Sequence, residues 1–589
     1  MSDSVTYIIA TFLLIFVFIV SILSIRNDSL TMDELAHLPA GYSYLTQKDM
    51  RLNPEHPPLI KDLSALPLLF IGDIRFPSEI NPWKEDVNGQ WDFGNYFLFK
   101  SGNPAELMIF WSRIPIIFIL LLLGFYVFRW TKEIFGNKAS LLALFLFSFS
   151  PTLLAHGRLV TTDVGAAAGV LIATYYFIKF LNNNSWKNLI IAGITLGIAQ
   201  LVKFSLILLF PFFGILIIIW VAVNSLNSKE FLKRFGRYFI FCFLIGLIAL
   251  SLIWAVYQYH TWNYPPERQT RDTELILNSF GNRPLANLVI WAADKPVLRP
   301  LAQYSLGLLM IFQRAAGGNT SYFLGEISGL GWKSYFPIVY LIKEPLTFHI
   351  LTFITLIYLI YIFRKTLWQK PLLKAVSNWV KLHFVELSAL IFIGIYWITS
   401  LSATLNIGVR HLLPVFPFII LLVSGNISLW TSSSPFSKLK KVFLAWLLLW
   451  QAYSIIAIYP YFIAYFNESV GGPDRGYIYV VDSNLDWGQD LKRLKIWLDK
   501  ENIDKIYVDY FGGSDTKYYL GEKYLPWWGS RGPNELTKGS YLAVSATMLQ
   551  GGRGKPVPGS DQAHGYYKWL DKYQPIAKIG YSIFVYRID

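Results

Sequence analysis

Phe204-Ser-Leu-Ile-Leu-Leu-Phe-Pro-Phe-Phe-Gly-Ile-Leu-Ile-Ile-Ile-Trp-Val-Ala-Val-Asn224 contains no ionisable side chain. A helix needs about 20 predominantly apolar residues to cross the hydrocarbon core of a bilayer, and this run supplies them. Lys203 stands immediately before it and Lys229 a few residues after it, so both ends have a polar stop. The same reading recurs along the chain near 5–25, 107–128, 139–155, 163–181, 187–202, 237–258, 346–363, 385–401, 411–430 and 440–460, about eleven spans in all. The pair around Val202-Lys203 reads either as two spans or as one broken helix. The expected fold class is an α-helical polytopic membrane protein.

Composition agrees. Of 589 residues 54% are hydrophobic and only 15% charged, against about a quarter charged in soluble domains. The apolar content also excludes disorder. The first span lacks a basic leading segment and a small-residue cleavage site, so it reads as an anchor rather than a signal peptide. Cys242 is the only cysteine, which excludes an intrachain disulfide and a cysteine metal cluster.

The net charge of +14 locates itself. Short loops expected inside carry Arg129, Lys132, Lys138, Lys179, Lys187, Lys229, Lys233, Arg234, Arg237, Arg364, Lys365, Lys370, Lys374, Lys381, Lys438, Lys440 and Lys441. Against them stand Glu133, Glu230 and Glu386, so these loops account for the whole surplus. That is a topology signal, with basic loops cytoplasmic, and it argues against a nucleic-acid partner. The amino terminus is then inside, and three long pieces, 26–106, 259–345 and 461–589, are extracytoplasmic. Residues 1–460 form the expected membrane module. Residues 461–589 form an expected α/β domain, with strands at 477–481, 506–510, 541–545 and 579–586 and a helix at 490–500.

The spans hold almost no titratable groups, which argues against an ion-coupled transporter. Charge gathers instead at the outward ends. Thr31-Met-Asp33-Glu34-Leu-Ala-His37 places carboxylates just past the first span, where Asp33 can serve as a general base towards a hydroxyl or simply cap a helix. Arg51-Leu-Asn-Pro-Glu55-His56-Pro57-Pro58-Leu-Ile-Lys61 is a proline-stiffened cationic turn. It suits a phosphate held by Arg51 or Lys61, or else its lysine snorkels to the interface. His156-Gly-Arg158-Leu-Val-Thr161-Thr162-Asp163 offers a second site carboxylate, or the cap of the span that follows. Lys203 and Arg410-His411 add cations at two further span ends, where contact with membrane lipid phosphates is the alternative. No zinc motif is present, although a divalent cation at Glu55 and His56 stays open. Walker, Gly-x-Ser-x-Gly and dinucleotide signatures are missing from the sequence. Trp83, Trp91, Trp332, Trp527 and Trp528 fit an interfacial belt better than sugar stacking.

Asp33-Glu34 after the first span, His56-Pro57-Pro58-Leu59 with Lys61, and Thr161-Thr162-Asp163 together resemble the GT-C glycosyltransferases. The likeness is to the protein O-mannosyltransferase-like branch and its relative, the aminoarabinose transferase of lipid A. Arg410-His411-Leu412-Leu413-Pro414 and Asp482-Ser-Asn-Leu-Asp-Trp-Gly-Gln-Asp490 look like segments of bacterial members with such a tail. The resemblance implies inverting transfer of a sugar from a polyprenyl-phosphate carrier to an extracytoplasmic protein, lipid or glycan, with no cofactor required. It implies Asp33 as the base and Glu34 orienting a substrate or neighbour, with Asp163 on the acceptor side or behind the site. Lys61, Lys203 and Arg410 would meet the phosphate, with Arg51 and Arg158 in reserve; His56 and His411 join that substrate-binding set. The chain departs from the family in the local sequence around the loop cation and in carrying its extra domain after the last span. Two other classes remain: a flippase or transporter for a lipid-linked saccharide, and a non-catalytic scaffold presenting residues 461–589.

Overall fold

The computed structural model describes residues 2–369, 371–433, 436–559 and 562–588. Lys370, one of the bases counted above, lies outside them. Among the described residues nine helices are long and apolar enough to cross a membrane: Asp3–Ser24, Ala105–Phe135, Asp163–Asn182, Phe204–Asn224, Ser228–His260, Leu346–Lys365, Phe384–Leu401, Val409–Ser432 and Ser437–Ile458. Asn137–Ser148 and Trp186–Val202, two of the eleven expected spans, are shorter apolar helices. The chain is an integral membrane protein.

The expected span 139–155 is broken by local chemistry. Its helix stops at Ser148, and a separate turn, Pro151–His156, begins beyond an extended Ser150 whose hydroxyl accepts from the Leu153 amide. Pro151 has no N–H to continue the first helix and suits the first position of the second. At Lys203 the backbone is extended (φ −155°, ψ 132°), so Trp186–Val202 and the segment after it are two elements. Non-helical backbone at such depth is tolerated where it lines a cavity, and Lys203 does so.

Two helices form the centre of the bundle. Asp163–Asn182 and Val409–Ser432 are each 83% buried over their apolar window, against 17–22% for the peripheral Asp3–Ser24, Ser228–His260, Leu346–Lys365 and Ser437–Ile458. The first is rich in small residues. A Cβ on Gly165 would lie 2.5 Å from Ile60 and 2.9 Å from Val202, so glycine permits the close approach. These two central helices carry Asp163 and Arg410 at one end, which ties the site to the most constrained part of the bundle.

Among the described residues eight strands lie outside the bundle: β1 (Ser321–Phe323), β2 (Glu326–Ser328), β3 (Ile506–Asp509), β4 (Tyr524–Pro526), β5 (Tyr541–Ser545), β6 (Lys555–Pro556), β7 (Ala577–Ile579) and β8 (Ile583–Arg587). Five form a sheet ordered β4-β3-β5-β8-β7, parallel across β4, β3 and β5 and antiparallel beyond, with Val544 opposite Phe584. Helix Leu491–Lys500 packs Leu491, Leu494 and Leu498 on it, all fully buried. Each such leucine contributes about 1.5–3 kcal/mol. The second sheet, β1-β2-β6, joins the loop after residue 260 to the tail through the parallel β2–β6 pair. The strand expected at 477–481 is not formed: Gly476–Ile478 is a 3-10 turn and Val480 makes a single bridge to Phe323. The alternating apolar pattern there serves packing, with Tyr477 against Phe584 at 4.7 Å between ring centres.

The tail is sewn to the segment that precedes Asp33. Ser29 N donates to Gln489 O (2.9 Å), Met32 N to Trp487 O (3.0 Å) and Ser29 Oγ to Gly488 O (2.8 Å), while Leu491 N donates back to Ser29 Oγ (3.0 Å). Arg493 reaches from the tail to Asp28 as well as to Asp490.

Candidate active site

Helix Met32–Gln47 starts at Thr31, whose side chain and backbone share a capping box with Glu34. Asp33 is therefore not the cap. Met32, Asp33, Ala36 and His37 share one face of this helix and line a cavity of about 450 Å³, while Glu34 points the other way. Other walls come from Asn53, Glu55, His56 and Trp91, from Thr162 and Lys203, from Arg314, Asn319 and Thr320, from Arg410 and His411, and from Asp482, Trp487, Phe511 and Thr547 of the tail.

An ion-pair chain runs along one wall. Arg410 Nη1 donates to Asp33 Oδ2 at 2.7 Å and to Asp163 Oδ2 at 3.2 Å; Asp163 Oδ1 takes Lys203. Arg410 Nε donates to Ser483 Oγ (3.1 Å), and its guanidinium lies 4.2 Å from the centre of the Trp487 ring. Of the four carboxylate oxygens in this chain, only Asp33 Oδ1 has no hydrogen-bond partner among the described residues, and the Asp33 side chain is 23% exposed. The sequence allows Asp163 to be a cap or a second carboxylate. Its neighbour Thr162 is the cap position and makes no side-chain cap bond, and the 1%-exposed Asp163 side chain spends both oxygens on Lys203 and Arg410. It orders those cations from behind the wall.

Cations and imidazoles face the cavity with capacity to spare. Arg314 is exposed and makes no ion pair among the described residues. His56 Nδ1 and His411 Nε2 are buried without a partner. Burial, then the charges of His37, Lys61 and Lys203, hold His56 well below its ordinary value. His37 is lowered too, by burial against the pull of Asp33, and its Nδ1 lies 2.9 Å from Val160 O. Asp482 moves the other way: burial pushes it up to about 6, with Arg410 and the Ser483 amide opposing and Asp33 adding to the rise.

Four residues proposed from sequence as site groups lie elsewhere. Glu34 is fully buried and receives Arg113 through Nε (2.8 Å) and Nη2 (2.6 Å), the Thr31 amide (2.9 Å) and the Val160 amide (2.9 Å). Burial raises it, but Arg113 and these bonds hold it below the usual carboxylate range. It has nothing left for a substrate. Lys61 is fully buried, with Nζ within 2.9 Å of Tyr44 OH, Asn53 O, Asn53 Oδ1 and His56 O; it shapes the loop rather than meeting a phosphate. Burial pulls it down to about 7 against Glu55 and Asp62. Arg51 pairs with Asp49 and donates to Trp83 O (2.8 Å), stacked 4.2 Å from the Trp83 ring. Arg158 is buried on Asp28, which also takes Arg493. Glu55 lines the cavity, yet Asn88 (3.1 Å) and Gln90 (2.6 Å) hold both its oxygens. Among the described residues no group of three His, Cys, Asp or Glu side chains converges as a metal site. Of the five tryptophans singled out in the sequence, Trp91 reaches the cavity and Trp83 and Trp527 are buried.

Sequence reasoning missed Arg314, Asp482, Ser483, Trp487 and Thr547 as site residues. The one local signal was the acidic run 482–490, which carries the resemblance but announces no role for any single residue.

Residues 108–255 match the family described as dolichyl-phosphate-mannose-protein mannosyltransferase. The chain is similar to the Saccharomyces cerevisiae protein O-mannosyltransferase Pmt1–Pmt2 complex bound to the sugar donor, with 19% identity over 45% of this chain and 34% of that one and a TM-score of 0.35. It is similar to ArnT from Cupriavidus metallidurans bound to undecaprenyl phosphate, with 10% identity over 98% and 97% of the two chains and a TM-score of 0.42. It is also similar to the archaeal oligosaccharyltransferase AglB from Archaeoglobus fulgidus in complex with an inhibitory peptide and a dolichol-phosphate, with 10% identity over 91% and 69% and a TM-score of 0.44. The chain thus spans about a third of the length of the first of these. No curated protein matches it. Over residues 108–255, about a quarter of its length, the chain is thus similar to the dolichyl-phosphate-mannose-protein mannosyltransferase family.

Proposed function

We propose that the chain transfers a sugar, with inversion, from a polyprenyl-phosphate carrier to an acceptor hydroxyl on the extracytoplasmic side, and that Asp33 is the general base. The observation that carries this is the open Asp33 Oδ1, the one oxygen of its ion-pair chain without a hydrogen-bond partner among the described residues, in a cavity that also presents the unpaired Arg314 and the Asp163-paired Lys203. In the step, Asp33 Oδ1 takes the acceptor proton as the acceptor oxygen forms its bond to the anomeric carbon. The bond from that carbon to the phosphate oxygen breaks on the opposite face, and the electron pair leaves with the phosphate. A phosphate is a weak base and needs no strong general acid; it needs positive charge where its own charge develops. Lys203 and Arg314 supply it, with His56 Nδ1 and His411 Nε2 as polar groups that a ligand would satisfy. Arg410 keeps Asp33 oriented, and the Trp487 ring keeps Arg410 in place.

The orientation follows from the basic short loops, with the amino terminus cytoplasmic and residues 461–589 outside. Tail residues line the cavity themselves, which supports a catalytic assembly over a scaffold that merely displays a domain. The experiment is sugar release from radiolabelled polyprenyl-phosphate mannose, glucose, galactose and aminoarabinose in proteoliposomes, comparing wild type with Asp33→Asn. Turnover of one donor by wild type and its loss in the variant is expected.

A further inference from the structure

A second, smaller pocket of about 120 Å³ lies directly against the main cavity and shares Thr320, Asp482 and Thr547 with it. Its remaining walls include Ser321, Tyr322, Tyr335 and Asn406. Its chemistry differs from that of its neighbour. The main cavity is walled by Lys203, Arg314, Arg410 and three histidines, whereas among the described residues no lysine, arginine or histidine lines the smaller one. Among the described residues the single charged side chain there is Asp482, and the other polar groups are hydroxyls and one amide.

Asp482 is set at this junction with some strain. Its backbone is left-handed (φ 56°), a region that non-glycine residues enter rarely and aspartate more readily than most. Thr547 holds the turn: Asp482 N donates to Thr547 Oγ1 (3.1 Å), and Thr547 N donates to Asp486 Oδ2 (2.8 Å). Asp482 Oδ1 accepts from the Ser483 amide (2.6 Å), and Oδ2 has no hydrogen-bond partner among the described residues.

We propose that this pocket is the acceptor subsite and that it takes a neutral, polyhydroxylated acceptor, a sugar ring, with Asp482 Oδ2 and the surrounding hydroxyls as its hydrogen-bond partners. The proposal rests on the transfer reading above and adds the substrate class. Asp482 makes no ion pair among the described residues and feels Arg410 only through space, so its carboxylate disfavours phosphorylated or uronic acceptors, while hydroxyls and a carboxylate match the hydroxyls of an uncharged sugar. The division of charge gives the anionic donor phosphate the cationic cavity and leaves the neutral partner the adjoining pocket.

Gly551 provides the test. It lines the pocket, lies in helix Ala546–Arg553, and a Cβ added there meets nothing within 4 Å, so a longer side chain projects into open space. Methyl α-mannoside, methyl β-glucoside and N-acetylglucosamine, with glucose 6-phosphate, glucuronate and a threonine-containing peptide as counterparts, are titrated against the full-length protein in nanodiscs by ligand-observed NMR. At least one neutral sugar should bind wild type, and Gly551→Leu should weaken it at least tenfold while binding the polyprenyl-phosphate donor with the wild-type Kd, which reports an intact fold. Binding that is equal in the two proteins, no neutral sugar binding at all, or preferential binding of an anionic sugar or the peptide would overturn the proposal. Its failure is separable from failure of the transfer reading. Wild type that transfers sugar with an acceptor KM unmoved by Gly551→Leu removes the subsite alone. Wild type that binds the neutral sugar here but releases sugar from no donor removes the transfer step alone.

Discussion

Replacing Arg410 with lysine keeps the charge and removes the fork. In the native site one guanidinium reaches Asp33 Oδ2 (2.7 Å), Asp163 Oδ2 (3.2 Å) and Ser483 Oγ (3.1 Å) while its Cζ sits over the Trp487 ring, 4.2 Å from the centre. A single ammonium on a flexible stem cannot reproduce that planar set. The variant loses at least one hydrogen bond between charged groups, worth about 1.5–3 kcal/mol, and most of a desolvated cation–π contact, worth about 2 kcal/mol. Lys203 still neutralises Asp163, so part of this loss is absorbed. If about 2–4 kcal/mol is felt in the transition state, kcat/KM falls about 30- to 1000-fold, at 1.36 kcal/mol for each factor of ten. On the proposal that Asp33 is the base and Arg410 orients it, the fall should appear mainly in kcat, with donor KM changed much less. The assay is steady-state transfer in proteoliposomes across donor concentration. A wild-type kcat in Arg410→Lys, or a loss confined to donor KM, would refute the positioning role.

Two further outcomes follow from burial and charge. Glu34→Gln leaves the buried Arg113 without its carboxylate, a change that costs about 3–5 kcal/mol, so thermal stability should drop clearly while the folded fraction keeps its kcat; unchanged stability with lost transfer would return Glu34 to the chemistry. Asp482 is raised from 3.8 to about 6, so the folded protein holds a proton there that the unfolded chain has already released. That contribution is fully present below about pH 4 and lost as pH rises through about 6. Asp482→Asn, which cannot ionise, should gain in Tm relative to wild type as pH rises from 4.5 to 8; parallel curves would contradict the assignment.

The membrane fold is legible in the sequence because apolar runs are local, and so is the loop carrying Asp33. What each residue does there is not local. Asp33 and Glu34 are neighbours, but successive helical residues point about 100° apart, so one faces the cavity and the other the Arg113 pair inside the bundle. The spacing of Met32, Asp33, Ala36 and His37 on one helical face does carry that distinction. Lys61 and Lys203 both read as outward cations. Only the packing separates a lysine closed among four acceptors from one lining the cavity. Asp482, Trp487 and Thr547 come from a tail that meets the Asp33 helix only after folding. The backbone bonds of Ser29 and Met32 to Gln489 and Trp487 that bring them together leave no mark in either segment's composition.

The central claim is that Asp33 removes the acceptor proton. Single-turnover transfer from a saturating, radiolabelled polyprenyl-phosphate sugar, measured beside donor binding for wild type and Asp33→Asn, tests it most directly. The account predicts donor binding within about threefold of wild type and transfer slowed by at least 10²–10⁴, the usual contribution of a general base. Transfer at the wild-type rate by Asp33→Asn would contradict it.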